Sequence, residues 1–169
     1  HVAGIIGAVR DNSLGVDGIC NHVKIMIVRC VPNGDERDKD VANAIRYAVD
    51  NGAKIINMSF GKYYGTNKAA VDEAVKYAMN RDVLIVHAAG NEGANLKGKQ
   101  HFPTRVYADK SGQAKACIEV GASEPNMQPT CFSTYGKKYV DLFAPAIDIY
   151  STTPNNPYNA LAGTTTASP

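Results

Sequence analysis

Apolar residues in the first half of the chain form short continuous runs that alternate with stretches of helical spacing. The runs Val23–Val28, Ile55–Phe60 and Val83–Val86 predict three strands. Between them, apolar residues recur at three- and four-residue spacing in 41–49 and 70–78, which predicts two helices that each have one apolar face. Strands that are apolar throughout are typical of parallel sheets covered on both sides. The order therefore predicts an α/β fold, a parallel β-sheet with helices on both faces.

Polar residues at the ends of the two predicted helices indicate where each one begins and ends. Asp38 or Asp40 is expected to cap the first helix, which Asn51 and Gly52 end. Thr66 is expected to cap the second helix.

The second half of the chain has a weaker pattern. The polar stretch from 95 to 113 is rich in Gly and Lys and is expected to be a long excursion from the sheet. Ile118–Val120 and Val140–Phe143 predict short strands, and the second is expected to continue through Ile147–Tyr150.

Composition limits the class of protein. A length of 169 residues suits one domain, and 44% hydrophobic residues can form a substantial core. The net charge of +2 comes from charges scattered along the chain, which argues against nucleic acid or a membrane surface as partner. The cysteines, which lack zinc-site spacing, are expected to be buried free thiols, although a disulfide stays open; they are Cys20, Cys30, Cys117 and Cys131.

Two polar turns follow predicted strands, at the sheet edge where α/β proteins bind ligands. Asn91 lies in the second turn, between Gly90 and Glu92. Its amide could stabilise an oxyanion, or it could be a turn residue that accepts left-handed geometry. The first turn, Ser59-Phe60-Gly61, could line a substrate pocket or simply end a strand.

Several spaced motifs together resemble the subtilisin-like serine proteases, or subtilases. The last seven residues, 163–169, are similar to the nucleophile segment Gly-Thr-Ser-x-Ala-x-Pro, with Thr165 at the position of the Ser. Residues 1–4 resemble the end of His-Gly-Thr-His-Val-Ala-Gly, which puts His1 at the second, non-catalytic His. Residues 90–93 resemble the segment that carries the oxyanion-hole Asn, and 59–61 resemble the family's Ser-Leu-Gly.

The resemblance implies a single, incomplete subtilase catalytic domain over 1–169, subtilisin-like in fold with its N-terminal part missing. It implies an endopeptidase that works through an acyl-enzyme on a peptide or protein substrate. Thr165 would stand at the nucleophile position, and Asn91 would be in the oxyanion hole. The substrate-binding residues would be Ser59, Phe60, Gly61, Ala88, Ala89 and Gly90. It also raises the expectation of a cis bond at Phe102–Pro103, and places such proteins outside the cell or in the envelope.

The departures from the family pattern lead to the expectation that the chain alone is inactive. Thr165 replaces the Ser, and no residue aligns with the catalytic His or Asp; His87 is expected to be a packed or hydrogen-bonded histidine. A non-catalytic subtilase-like module that binds peptide or acts as a scaffold is therefore the alternative. A nucleotide-binding domain is disfavoured because no Gly-x-Gly-x-x-Gly or P-loop motif occurs.

No cofactor and no metal are expected for the site itself. The segment 11–16 resembles a loop that binds calcium in many subtilases, where Asn12 would be the side-chain ligand, but a polar turn after a helix is the preferred interpretation. Self-association is expected through strand edges and apolar surface left uncovered.

Overall fold

A four-stranded parallel sheet forms the centre of the fold. The computed structural model describes residues 1–97, 99, 101–155 and 157–169. The strands lie in chain order across the sheet: β1 Ile55–Met58, β2 Leu84–Ala88, β3 Cys117–Ser123 and β4 Leu142–Pro145. Because neighbouring strands all run in the same direction, the predicted parallel α/β architecture is confirmed.

Helices cover the two sides of this sheet unequally. They are α1 Val2–Gly7, α2 Asp38–Asp50, α3 Lys68–Met79 and α4 Thr164–Ala167. On one side, α2 and α3 pack together with Ile85 of β2; Ala74 and Ala78 have no exposed surface there. On the other side, the single turn of α4 packs Ala167 against Val120. None of the described helices is long and apolar enough to cross a bilayer.

Both helix caps differ from the sequence prediction. Asp38 is the first residue of α2 and makes no cap; its carboxylate instead pairs with Lys62 at 2.9 Å and accepts hydrogen bonds from Thr66 Oγ1 and from the N–H of Asn67. Since Thr66 is taken up by that contact, Asn67 caps α3 by accepting from the N–H of Ala70. The contacts of the buried Asp38 carboxylate thus occupy both Asp38 and Thr66, the two side chains that were expected to cap helices.

The predicted strand at Val23–Val28 is wrong: the segment belongs to no strand. Its side chains are largely exposed, and Ile27 is 76% exposed. Within the described ranges, β1 is the edge strand on this side of the sheet. A β-branched run forms a strand only when a partner edge supplies the ladder hydrogen bonds, and Val23–Val28 pairs with none of the described strands.

The expected continuation of β4 through Ile147–Tyr150 is also wrong. After Pro145 the chain forms a separate antiparallel hairpin, β5 Ile149–Thr152 with β6 Tyr158–Leu161. The hairpin packs on α1, where the buried Ser151 Oγ donates to the carbonyl of His1. Its second strand was not predicted because it is short and lacks an apolar run.

All four cysteines are free thiols, but the prediction that they are buried holds only in part. Cys30 and Cys117 pack against the core beneath α2 and α3, and burial raises the pKa of the Cys117 thiol to about 12. Cys20 and Cys131 are exposed.

Candidate active site

The sequence-predicted residues meet at the carboxyl ends of β1 and β2, where the start of α4 joins them. Asn91 Oδ1 accepts two hydrogen bonds from Thr164, one from the N–H at 2.8 Å and one from Oγ1 at 3.0 Å. The buried Thr164 Oγ1 in turn accepts from the N–H of Gly90 at 3.2 Å. Because two donors fix Oδ1 as the acceptor, the amide Nδ2 of Asn91 is the group that remains to donate elsewhere.

Thr165 and the Asn91 amide face the same small space. Gly163, between them, has a φ of 149° that favours glycine, and a Cβ on it would stand 3.2 Å from Thr165 Oγ1 and 3.3 Å from Asn91 Nδ2. A carbonyl group brought into that space would meet a hydroxyl and an amide donor together. In the part of the chain that the structure describes, no imidazole and no carboxylate is hydrogen-bonded to Thr165 Oγ1.

Ser59 joins the first turn to α4. Its Oγ donates to the carbonyl of Thr165 at 3.2 Å, shares a hydrogen bond with Ser168 Oγ at 2.9 Å, and accepts from Asn57 Nδ2. The Phe60 side chain packs against the core, so only Gly61 of this turn is exposed. Ser59 and Phe60 can therefore meet an extended peptide through their backbone rather than their side chains.

The second turn presents a wall of backbone. Ala88 and Ala89 are 2% and 1% exposed, and the N–H of Ala89 donates to the carbonyl of Val120. Gly90 has a φ of 106°, and its carbonyl accepts from the N–H of Thr134. The six residues expected to bind substrate thus lie in two turns, 59–61 and 88–90, which we call the two walls of the site. Gly61 and Gly90 contribute only backbone to these walls.

A buried histidine holds the first wall in place. His87 of β2 lies 2.8 Å from Glu119 of β3 through Nδ1 and 2.8 Å from the Phe60 carbonyl through Nε2. Burial alone would lower its pKa, but the Glu119 carboxylate and the Phe60 carbonyl more than offset that effect, so the pKa of His87 is raised. The expectation of a packed, hydrogen-bonded histidine is confirmed.

A second histidine at the site, His101, was not predicted. Main-chain hydrogen bonds between Lys62 and Phe102 place it beside Gly61, and the Phe102–Pro103 peptide bond is cis, in agreement with the family resemblance. Its ring is 7% exposed and stacks on His87, with ring centroids 5.5 Å apart. Burial, together with the charge on His87, lowers the pKa of His101 to about 4. Only its place next to the Phe-Pro pair could have pointed to it from sequence.

The loop that resembles a calcium site is closed by hydrogen bonds of its own. Asn12 Oδ1 accepts from the N–H of Leu14 at 2.9 Å, which closes the loop on itself, and Asp17 accepts from the N–H of Asp11. Among the described residues, no group of three or more His, Cys, Asp or Glu side chains converges.

Comparisons with known proteins agree with this geometry. A sequence model described as the Subtilase family matches residues 1–169. Thermitase of Thermoactinomyces vulgaris is 38% identical over the whole chain, which covers 56% of it, and a thermophilic serine proteinase of Bacillus sp. strain AK1 is 37% identical, with 39% covered. The chain thus spans about half the length, or less, of these relatives.

Solved structures are similar over 99% of the chain. The prenylagaramide maturation protease PagA has a TM-score of 0.82 at 30% identity, with 58% of that chain covered. A cold-adapted subtilisin-like serine proteinase has a TM-score of 0.79 at 29% identity, with 55% covered.

Two substitutions at Asn91 should test whether its Oδ1 is the acceptor that holds Thr164. Asn91→Asp keeps an oxygen for Thr164, so we expect the free energy of unfolding to stay near that of the wild type. Asn91→Ala removes the acceptor of both hydrogen bonds and should cost about 1 kcal/mol. Urea unfolding followed by circular dichroism measures both. Equal losses in the two variants would contradict the assignment of Oδ1 as the acceptor.

The buried His101 should make stability depend on pH. With a folded pKa of about 4 against an unfolded value near 6.5, its contribution is present above about pH 6.5 and is lost as pH falls toward 4, because the unfolded state then binds more protons. Between pH 7 and pH 4, His101 should lower the free energy of unfolding of the wild type by about 3 kcal/mol. This decrease should be absent in His101→Gln. Unfolding measured from pH 7 to 4 tests this, with the exposed His22→Gln as control. Parallel curves for wild type and His101→Gln would refute it.

Proposed function

The chain belongs to the subtilase family of serine proteases, and on that premise we propose that its site hydrolyses peptide bonds through an acyl-enzyme in the whole protein. The observation that carries the proposal is the space beside Gly163, which Thr165 Oγ1 and Asn91 Nδ2 both face. A nucleophile and an oxyanion donor placed around one position are two of the groups that acyl transfer requires, the third being a base. The walls 59–61 and 88–90 beside that space would hold an extended peptide substrate.

Each residue has a distinct task in the proposed reaction. The Thr165 hydroxyl gives its proton to a base as Oγ1 bonds to the substrate carbonyl carbon, and Asn91 Nδ2 donates to the oxygen that becomes negative. The carbon–nitrogen bond then breaks, the leaving amine takes up that proton, and water later hydrolyses the ester at Thr165. Ser59 positions Thr165 through its carbonyl. No organic cofactor takes part in this scheme.

We propose that residues 1–169 alone are inactive, since among the described residues no base is hydrogen-bonded to Thr165 Oγ1. The secondary hydroxyl of Thr165 is also hindered by its own methyl group, which restricts χ1. His1, the histidine of the N-terminal motif, binds the carbonyls of Ile149 and Asn159 through Nε2, at 2.9 and 3.2 Å, which commits it to the hairpin.

A fluorophosphonate probe should distinguish an inactive chain from an active one. We expect no labelling of the wild type above a Thr165→Ala control, and none of Thr165→Ser either, because removing the methyl group does not supply a base. In the whole protein, Thr165→Ser should increase labelling. Labelling of the wild-type chain at Thr165 would show that a base is at hand and would overturn the proposed inactivity.

The second candidate function is a non-catalytic module that binds peptide, which the threonine at the nucleophile position favours. It predicts that the whole protein binds peptides but neither cleaves them nor gains labelling in Thr165→Ser. The same probe experiment therefore decides between the two candidates.

We further propose that the chain self-associates through Val23–Val28, because adjacent apolar side chains there are exposed; Val23, Ile25 and Ile27 are 39%, 41% and 76% exposed. Analytical ultracentrifugation should show dimers or larger species, and Ile27→Lys should shift them toward monomer. Ile19→Lys is the matched control, since Ile19 is also 76% exposed but lies outside the segment. A monomer at high concentration, or equal effects of the two variants, would contradict this proposal.

A further inference from the structure

The space between the two walls of the proposed substrate site is occupied by a side chain of the protein. A Cβ on Gly61 would collide with the His101 ring, with Cε1 and Nε2 as the nearest atoms. A Cβ on Gly90, in the opposite wall, would stand 3.2 Å from the same Nε2. One imidazole nitrogen is therefore close to both glycines at once, so the ring lies in the gap that these glycines leave open.

Other side chains close the gap around that ring. The Glu92 carboxylate would be 2.6 Å from a Cβ on Gly90, and its Oε2 accepts hydrogen bonds from Tyr63 at 2.8 Å and from Thr134 Oγ1 at 3.1 Å. The Tyr63 ring packs edge-on against His101, with centroids 5.4 Å apart.

The His101 ring has little freedom to leave. It is 7% exposed and stacks on His87, which is itself fixed by Glu119 and the Phe60 carbonyl. The backbone on its C-terminal side is tied to Lys62 by two hydrogen bonds, of 3.0 and 2.7 Å, between Lys62 and Phe102. A large side chain entering between the walls would have to displace a ring that is packed on three sides.

We propose that His101 makes this pocket shallow, so that the site prefers peptides whose side chain at the pocket position is small, such as Gly, Ala or Ser. The inference rests on the proposed function, because it takes the walls 59–61 and 88–90 as the place where a peptide lies. It adds the class of substrate and the residue that sets it. A pocket that is filled by a ring selects substrate side chains by their volume, since each methylene that cannot be accommodated lowers the binding affinity.

Binding rather than cleavage tests the inference, so the result does not depend on catalysis. Tetrapeptides that carry a fluorophore on the N-terminus and differ only in the last residue (Ala, Phe, Lys or Asp) are titrated with the chain and followed by fluorescence anisotropy. We expect the Ala peptide to bind the wild type about tenfold more tightly than the Phe peptide. His101→Ala should reverse the order by tightening the Phe peptide, and His22→Ala, at an exposed histidine, should not.

The NMR signal of the His101 Cε1–H group gives a second measurement that needs no variant. Addition of the Ala peptide should shift it and leave the His22 signal in place. If the Phe or Lys peptide binds the wild type best, or if the final residue has no effect, the inference is wrong while the proposed function stands; a preference for Lys would indicate recognition by Glu92. If no peptide binds either the wild type or His101→Ala, the walls 59–61 and 88–90 do not hold a peptide in this chain and the inference is overturned, while the proposed function, which concerns the whole protein, is judged by the fluorophosphonate labelling.

Discussion

The imidazole of His87 connects three strands, and the rest of the site depends on it. It lies on β2, contacts Glu119 on β3, and reaches the Phe60 carbonyl directly after β1. A buried polar ring is tolerated only when both nitrogens have partners, so the positions of Glu119 and Phe60 are set by the histidine between them. The turn at 59–61 is consequently held at a fixed distance from β2, which is the distance between the two walls of the site.

A second set of contacts connects those walls to α4. Thr164 binds Asn91 through its N–H and hydroxyl and accepts from Gly90, while Ser59 reaches the carbonyl of Thr165. The helix has a single turn and little core of its own, so these hydrogen bonds determine where Thr165 stands. Both turns thus contribute to the position of one hydroxyl, although they are separated from it by more than 70 residues along the chain.

The parts of this structure that could be predicted from sequence are those governed by local periodicity. The apolar faces of α2 and α3 and the strands β1 to β3 follow from spacing alone. The turns 59–61 and 88–93 could be placed together because the carboxyl ends of parallel strands share one edge, whereas Thr165 could be placed beside Asn91 only by the family resemblance.

The predictions that failed each depended on a distant partner. Val23–Val28 has strand composition but pairs with none of the described strands. Asp38 would suit a helix cap but is recruited by Lys62. His101 lies in a polar stretch, and only the pairing of Lys62 with Phe102, forty residues apart, brings it to the site. Local pattern carries no information on any of these contacts.

The contact between α1 and the hairpin has a consequence for the order of folding. His1 donates from its ring to the carbonyl of Ile149, and Ser151 Oγ donates to the carbonyl of His1, across about 150 residues of sequence. The docking of α1 on the hairpin therefore closes a much longer loop than the pairing of neighbouring strands does, and a longer loop costs more chain entropy to close. The contacts between α1 and the hairpin are thereby expected to form after the sheet has formed.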